Sequence, residues 1–488
     1  MVFDIGKLAE VVEGAELAAP RPGEVPAVSA ERVETDTRKN LEGALFLALR
    51  GERFDGHDFV DAAADAGAVA VCVSAEYAAS RNARFPVPAL VVPDTLKALQ
   101  SMAAWHRWRF PGLKVLGITG SSGKTSAKEI ARSILSEAFG KDAVLATEGN
   151  TNNHIGLPMN LLRLRPEHRV AVLELGTNHP GEIDALAEIA APDIAIVTSI
   201  GNAHIEFFGS LDGVAREKGT IFKRRRTPDG GTVAPVAILP ADCPGRSILL
   251  ERVSGDALSF GFDDSATAAV LDYEGLGAEG ASFELRIDAG EGARARFNAR
   301  WRLGGRHQAS NVAAVALAAA RLGALDAVSA GLANCELPGM RMKVMEIDGV
   351  TWINDAYNAN PDSVRAALER LAEIADPSDV LVVLGDMFEL GAESARLHAE
   401  TLEFAAGLLP SAEFALVGGT ISAAAKRVPA LAERFEAYPD SDALAGRFRS
   451  APPKRSVVFL KGSRGVALER CVPEPTAEES GVKKEERL

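Results

Sequence analysis

From Leu113 onward the chain repeats one pattern: a short apolar run, a turn rich in Gly, Asn or Thr, then a stretch whose apolar positions recur at helical spacing. The runs at 114–119, 143–147, 169–176 and 194–200 are each followed by a candidate helix, which predicts buried strands of a parallel α/β sheet. Ligands of such sheets gather at the carboxyl ends of the strands, where the unusual polar residues of this segment fall. Between about 227 and 300 the rhythm gives way to short, alternating, turn-punctuated runs (257–262, 282–288), which read as β-rich additions to the same domain. Beyond Pro338-Gly-Met-Arg341 a second α/β series begins, with strands predicted at 351–355, 380–384, 414–417 and 456–460. The first 110 residues form a third unit, with strands predicted at 44–49 and 68–73.

The fold class is therefore α/β in three domains: 1–110, 111–335 with a central parallel sheet, and 336–473 with a Rossmann-like pattern. A length of 488 residues agrees, because single cores stop growing near about 250–300 residues. The polar, charged stretch 474–488 has little to bury and reads as a disordered tail.

Composition removes several function classes. A formal net charge of -14 argues against a general nucleic-acid binder, so anionic ligands must be held by local groups. The four cysteines, Cys72, Cys243, Cys335 and Cys471, lie far apart without a C-x-x-C pair and signal neither zinc nor a disulfide framework; buried free thiols are expected. The first residues lack a basic region followed by an apolar one, and no run of about 18 uncharged apolar residues occurs, so a cytoplasmic enzyme without membrane insertion is expected.

The strongest chemical signal is Gly117-Ile-Thr-Gly-Ser-Ser-Gly-Lys-Thr125, between a strand and a helix. Gly120 and Gly123 let backbone N–H groups of Ser121, Ser122 and their neighbours converge on phosphate; Lys124 reaches terminal phosphates; Thr125, followed by Ser126, can ligate Mg²⁺. The strict G-x-x-x-x-G-K-[ST] form needs Gly at 118, where this chain has Ile118, with Gly117 one place early. Glu174 ends an apolar run near that loop and can hold Mg²⁺ directly or through water. His204 is placed similarly after the run 194–200. Lys218 alone reads as an exposed helical lysine. The Asn-rich turn Asn150-Thr-Asn-Asn153 can cap the following helix or bind a polar substrate, and Asp355-Ala-Tyr-Asn-Ala-Asn-Pro361 again opens a helix with groups suited to a ribose or a peptide.

Together these stretches resemble the Mur ligases of peptidoglycan synthesis, most closely the branch that adds D-alanyl-D-alanine. The resemblance rests on Thr35-Asp-Thr-Arg38 with 51–58, the loop at 117–126, Glu174-Leu-Gly-Thr-Asn-His-Pro-Gly-Glu-Ile183, Ala203-His-Ile-Glu206 and 355–363. It continues in Leu384-Gly-Asp-Met-Phe-Glu-Leu-Gly391 and Lys461-Gly-Ser-Arg464, and leaves out the tail and the β-rich segment. It implies an N-terminal UDP-sugar domain, a central ATP-binding domain and a C-terminal domain for the incoming dipeptide.

By that resemblance Lys124 and its loop bind ATP phosphates, while Thr125, Glu174 and His204 organise Mg²⁺. Lys218 corresponds to a lysine that the family can carry as a carbamate, able to hold a second Mg²⁺. Asn311 resembles the adenine contact, and Arg341 and Asp355 the closing nucleotide contacts. Thr35, Asp36 and Arg38, with Gly51, Phe54, Asp55 and Gly56, are implied to hold the UDP-sugar end. Asn152 and Asn153 are implied to face the sugar nucleotide, and Tyr357, Asn358 and Asn360 the dipeptide. His154 and Thr220 stand where the family often has Glu.

The implied reaction is ATP-dependent amide formation through an acyl phosphate between UDP-N-acetylmuramoyl-tripeptide and D-alanyl-D-alanine, by a monomer with hinges near 110 and 336. The competing readings are an amide ligase with another amino-acid acceptor and a phosphate-loop ATPase coupling hydrolysis to a partner.

Overall fold

The computed structural model describes residues 2–19, 28–82, 84–290 and 294–473; the predicted tail lies outside them. A sheet of nine strands spans residues 114–301. From one edge it runs Val144–Ala146, Val170–Glu174, Lys114–Thr119, Ile194–Val197, Val236–Pro240, Ala257–Gly261, Ala268–Gly275, Ala281–Asp288 and Arg294–Trp301. The first seven pair in parallel, and the last two add as antiparallel ribbons. The β-rich segment thus extends the central sheet.

Val170–Glu174 and Ile194–Val197 are buried at every position, as strands covered on both faces must be. The second strand is shorter than expected. Beyond Val197 the hydroxyls of Thr198 and Ser199 hydrogen-bond to Ser122, which turns the chain away from the ladder. One face of the sheet packs on the helix Lys124–Phe139, which stops at Gly140 (φ 91°), and on the alanine-rich Arg306–Arg321.

The N-terminal sheet has the order Glu16–Ala18, Ala89–Val92, Ala70–Ser74, Ala44–Leu47, Arg32–Glu34, parallel except at the first edge. The C-terminal sheet has the order Lys343–Ile347, Val350–Asn354, Val457–Lys461, Val380–Gly385, Glu413–Val417, Phe435–Tyr438, with one antiparallel pair at its start. Its first helix, Pro361–Ile374, is fixed locally: Asn360 and Ser363 form a reciprocal capping box and Pro361 pre-sets the first turn.

A continuous apolar core runs from Phe3, Ile5 and Leu45 through Leu99 and Met102 of the helix Thr95–Trp108 to Leu157, Leu173 and Ile183. The N-terminal and central sheets therefore share interior. The C-terminal sheet has cores of its own on its two faces. All four cysteines are free; Cys72, Cys335 and Cys471 are buried, whereas Cys243, expected to be buried, is only half-buried and faces the main cleft. Among the described residues no helix is long and apolar enough to cross a membrane.

Candidate active site

Strand ends of the central sheet and the first turns of the C-terminal domain face each other across a cleft of 650 Å³. The loop after Lys114–Thr119 needs glycine twice. At Gly120 (φ 154°) a Cβ would lie 1.9 Å from Thr198 Oγ1, and at Gly123 (φ 82°) it would lie 2.9 Å from Asn311 Oδ1. The irregular spacing of the motif has a structural reason: Ile118 is a buried strand residue paired beside Glu174, so the turn begins only at Gly120.

Lys124 opens the helix Lys124–Phe139, and its Nζ donates to Gly120 O at 2.8 Å. Desolvation holds its ammonium below the ordinary lysine range, the Glu174 carboxylate pulls the other way, and Arg341 adds to the lowering. Glu174 is 1% exposed and fully engaged. Thr125 Oγ1 donates to its Oε2 at 2.9 Å and Asn152 Nδ2 to its Oε1 at 2.8 Å. Ser121 and Ser122 are tied to the neighbouring strand end, Ser121 Oγ donating to Gly201 O at 3.1 Å and Ser122 N to Ser199 Oγ at 2.9 Å. Ser126 accepts from Gln308 Nε2 at 3.3 Å, and Asn311 donates to Gln308 Oε1 at 3.2 Å, which ties the loop to the helix Arg306–Arg321. Burial, with Lys461 and Arg370 nearby, lowers the His307 imidazole to about 4, so it faces the cleft neutral.

The C-terminal domain supplies the opposite wall. Arg341 lies 4.0 Å over the Tyr357 ring and donates to Thr125 Oγ1 at 3.1 Å. Asp355 pairs with Lys461 at 2.5 Å and accepts from Met342 N at 3.1 Å; Lys461 also donates to the Asn358 carbonyl at 3.2 Å. The Asn360 side chain is committed to capping the helix Pro361–Ile374, and that of Asn153 accepts from Gly156 N at 2.9 Å, so the oxygens of both amides serve helix starts.

His204 lines the same cleft in a left-handed conformation (φ 57°), with Nδ1 paired to Glu389 of the C-terminal domain. Lys218 is not exposed as its sequence position alone suggested. It is 1% exposed, and its ammonium makes no hydrogen bond or ion pair among the described residues. Burial, reinforced by Lys124, holds it well below the usual lysine range, with Glu217 opposing. Glu217 itself is spent on Gly181 N and Ile183 N at the start of the helix Glu182–Ala190. Thr220 Oγ1 donates to Glu217 O at 2.7 Å and offers Lys218 nothing.

The N-terminal candidates do not join this cleft. Asp36 pairs with Arg38 at 2.7 Å, which holds its carboxyl at about 2, in the loop that Thr35 opens. Gly51 N donates to Phe54 O at 2.9 Å, leaving the Phe54 ring 74% exposed, and Asp55 accepts from His57. Gly56 is required because a Cβ would lie 2.8 Å from the Leu49 backbone. Lys461 in the cleft, and Asp362 and Glu389 behind it, went unassigned from sequence; each meets a partner more than 100 residues away. The motifs around Lys461 and Glu389 were the signal that pointed to them.

Three family descriptions match in order: "Mur ligase family, catalytic domain" over 30–107, "Mur ligase middle domain" over 118–319 and "Mur ligase, glutamate ligase domain" over 340–464. The middle-domain match includes the β-rich segment that the motif resemblance left out. The chain is 39% identical to the UDP-N-acetylmuramoyl-tripeptide--D-alanyl-D-alanine ligase of Escherichia coli (strain K12), covering 91% of this chain and 93% of that protein. Among solved structures it is similar to MurF from Acinetobacter baumannii (TM-score 0.83, 32% identity, 96% and 98% of the two chains). It is also similar to the MurF ligase from Thermotoga maritima in complex with ADP (TM-score 0.75, 27% identity, 90% and 96%). With its three matched domains and the phosphate loop, Glu174 and Asp355–Lys461 around one cleft, the chain belongs to the Mur ligase family.

Proposed function

We infer that the chain is an ATP-dependent ligase of peptidoglycan precursor synthesis that joins D-alanyl-D-alanine to UDP-N-acetylmuramoyl-tripeptide. The observation that carries this reading is the convergence of Lys124, Thr125 and Glu174 with Arg341 and the Asp355–Lys461 pair on one cleft. The name of the Escherichia coli relative and the ADP bound to the Thermotoga maritima relative support the substrate and the nucleotide.

A carboxylate is a poor acyl donor because its leaving group would be an oxide. Attack of a carboxylate oxygen on the γ-phosphorus of ATP releases ADP and leaves an acyl phosphate. The dipeptide amine then forms the C–N bond, loses a proton, and expels phosphate. The protein's work is positioning and charge stabilisation. Lys124, bonded to the Gly120 carbonyl, has further ammonium protons for the γ-phosphate, and the N-terminus of its helix adds positive potential. Arg341, stacked on Tyr357, brings a second cation from the C-terminal domain.

Thr125 Oγ1 and the buried Glu174 carboxylate fit an ATP-bound Mg²⁺, which keeps phosphate and water ligands rather than a full protein cage. Mg²⁺ there would neutralise charge developing on the phosphates. His204 keeps Nε2 available while Nδ1 is held by Glu389.

Lys218 is read as the carbamate position. Burial disfavours the charged form of its amine and so favours the uncharged form that adds carbon dioxide, with an N–C bond formed and a proton lost. The resulting anion would meet Lys124 and a second Mg²⁺. We read the chain as a cytoplasmic monomer acting on small molecules.

The test is phosphate release from ATP and Mg²⁺ with UDP-muramoyl-tripeptide and a series of amines. Release should depend on D-alanyl-D-alanine; indifference to the amine, or a preference for L-lysine or diaminopimelate, contradicts the reading. Lys218→Ala should lose ligation and recover it with short carboxylates, and full activity in that variant removes the carbamate.

A further inference from the structure

The segment Thr198 to Glu206 touches two domains at once. On one side it is stitched to the phosphate loop. Ser121 N donates to Ser199 O at 3.0 Å, Ser122 N to Ser199 Oγ at 2.9 Å, Thr198 Oγ1 to Ser122 O at 2.5 Å, and Gly201 N to Ser121 Oγ at 3.0 Å. On the other side it is held by the C-terminal domain. Asn202 N donates to Asp362 Oδ2 at 2.7 Å, His204 Nδ1 pairs with Glu389, and Glu206 N donates to Glu389 O at 3.2 Å.

Apolar packing follows the same division. Ile205, a residue of the central domain, is 9% exposed and belongs to the C-terminal domain's core with Ile353, Met387 and Leu390. There is no slack in the contact. A Cβ at Gly201 would lie 2.2 Å from Asp362 Oδ2, and one at Gly391 would lie 3.2 Å from Glu206. Asp362 is itself fixed in the first turn of the capped helix Pro361–Ile374.

Fewer than ten residues thus separate bonds to the phosphate loop from bonds to the dipeptide-side domain. When that domain leaves, the Asn202 N–H and the His204 Nδ1–H lose their acceptors and Ile205 loses its cover, so the segment must rearrange while still tied to Ser121 and Ser122. We propose that residues 198–206 couple docking of the C-terminal domain to the shape of the phosphate loop, with Asp362 and Glu389 as the positioning residues. Neither lines the cleft. Resting on the ligase reading, the proposal deepens it by naming how one substrate's domain reports to the other substrate's loop.

The test combines kinetics with hydrogen exchange of the ligand-free full chain. Asp362→Ala and Glu389→Ala should each lower kcat about tenfold or more and raise KM for ATP. Exchange should quicken in 119–126 while that of 95–108 stays as in the parent. Asp362→Asn, whose amide oxygen still accepts from Asn202 N–H, should stay within about threefold of the parent. Unchanged kinetics, unchanged exchange at 119–126, or an Asn variant as impaired as the Ala variant would overturn the proposal. Glu389 is 38% exposed, so its Ala variant keeps the test decisive if Asp362→Ala does not fold. If the parent chain shows no amine-dependent phosphate release, the ligase reading fails, while the exchange experiment still decides the coupling.

Discussion

The two junctions of the central domain are built from opposite materials. At the N-terminal junction the helix Thr95–Trp108 buries Leu99, Met102 and Ala103 in a core continuous with both neighbouring sheets. At the C-terminal junction the contacts are mostly polar: Asn202 to Asp362, His204 to Glu389, Tyr273 OH to Glu373 at 3.2 Å, and Arg370 to the carbonyls of Gly277 and Gly280 at 2.9 and 3.3 Å. Ile205 is the one central-domain residue seated in a C-terminal core cluster among the described residues. A shared core cannot open without exposing apolar surface, whereas polar contacts can be exchanged for water at small net cost. Of the two hinges expected from sequence, the one near 336 is therefore the one the packing favours.

The contrast can be broken by substitution. Met102→Ala should cost about 2–5 kcal/mol by transfer and cavity terms. The loss should appear in one unfolding transition seen by both Trp105 and Trp301; separate transitions would mean the core is not shared. Next is pH. His106 is buried at the same junction, its Nε2–H on Leu164 O at 3.1 Å, and burial lowers it from 6.5 to about 4. The imidazole is neutral in the fold and charges more easily in the unfolded chain. Stability from this group is thus complete above pH 6.5 and is lost as pH falls towards 4, by no more than about 3 kcal/mol. Urea midpoints at pH 7.5 and pH 5 read it, and His106→Gln should flatten the dependence.

The effects at the polar junction are smaller. Arg370→Ala removes charged donors from two carbonyls and should weaken docking by about 2 kcal/mol, seen as faster proteolysis within 336–342 with the Met102 transition unmoved. Tyr273→Phe removes the hydrogen bond to Glu373 together with the acceptor of Gly305 N–H, and the loss of the first should weaken docking by about 1 kcal/mol on the same readout.

Much of this architecture is legible before any coordinates. The strand Lys114–Thr119 coincides with the predicted run, and its interior from Val115 to Ile118 is buried and carries no polar side chain, as a strand covered on both faces requires. The phosphate loop is legible for a related reason: its glycines, lysine and threonine are neighbours in sequence, and their chemistry is local. Long-range contacts are not. Glu389 and His204 lie 185 residues apart, and nothing in either neighbourhood states that a carboxylate will meet an imidazole. Lys218 shows the same limit from the other side. Its helix reads as amphipathic and solvated, and only tertiary packing puts an unpaired lysine in the interior. Asn153 is an intermediate case: its side-chain oxygen serves a helix start, one of the two uses its turn offered in sequence, and Asn360 does the same at the helix Pro361–Ile374.

Hydrogen exchange with and without nucleotide tests most directly the claim that only the polar junction moves. Saturation of the full chain with ADP and D-alanyl-D-alanine should add protection in 199–206, 336–342 and 384–391 and leave 95–108 and 156–161 unchanged. Protection gained at 95–108 with none at 336–342 would contradict the account.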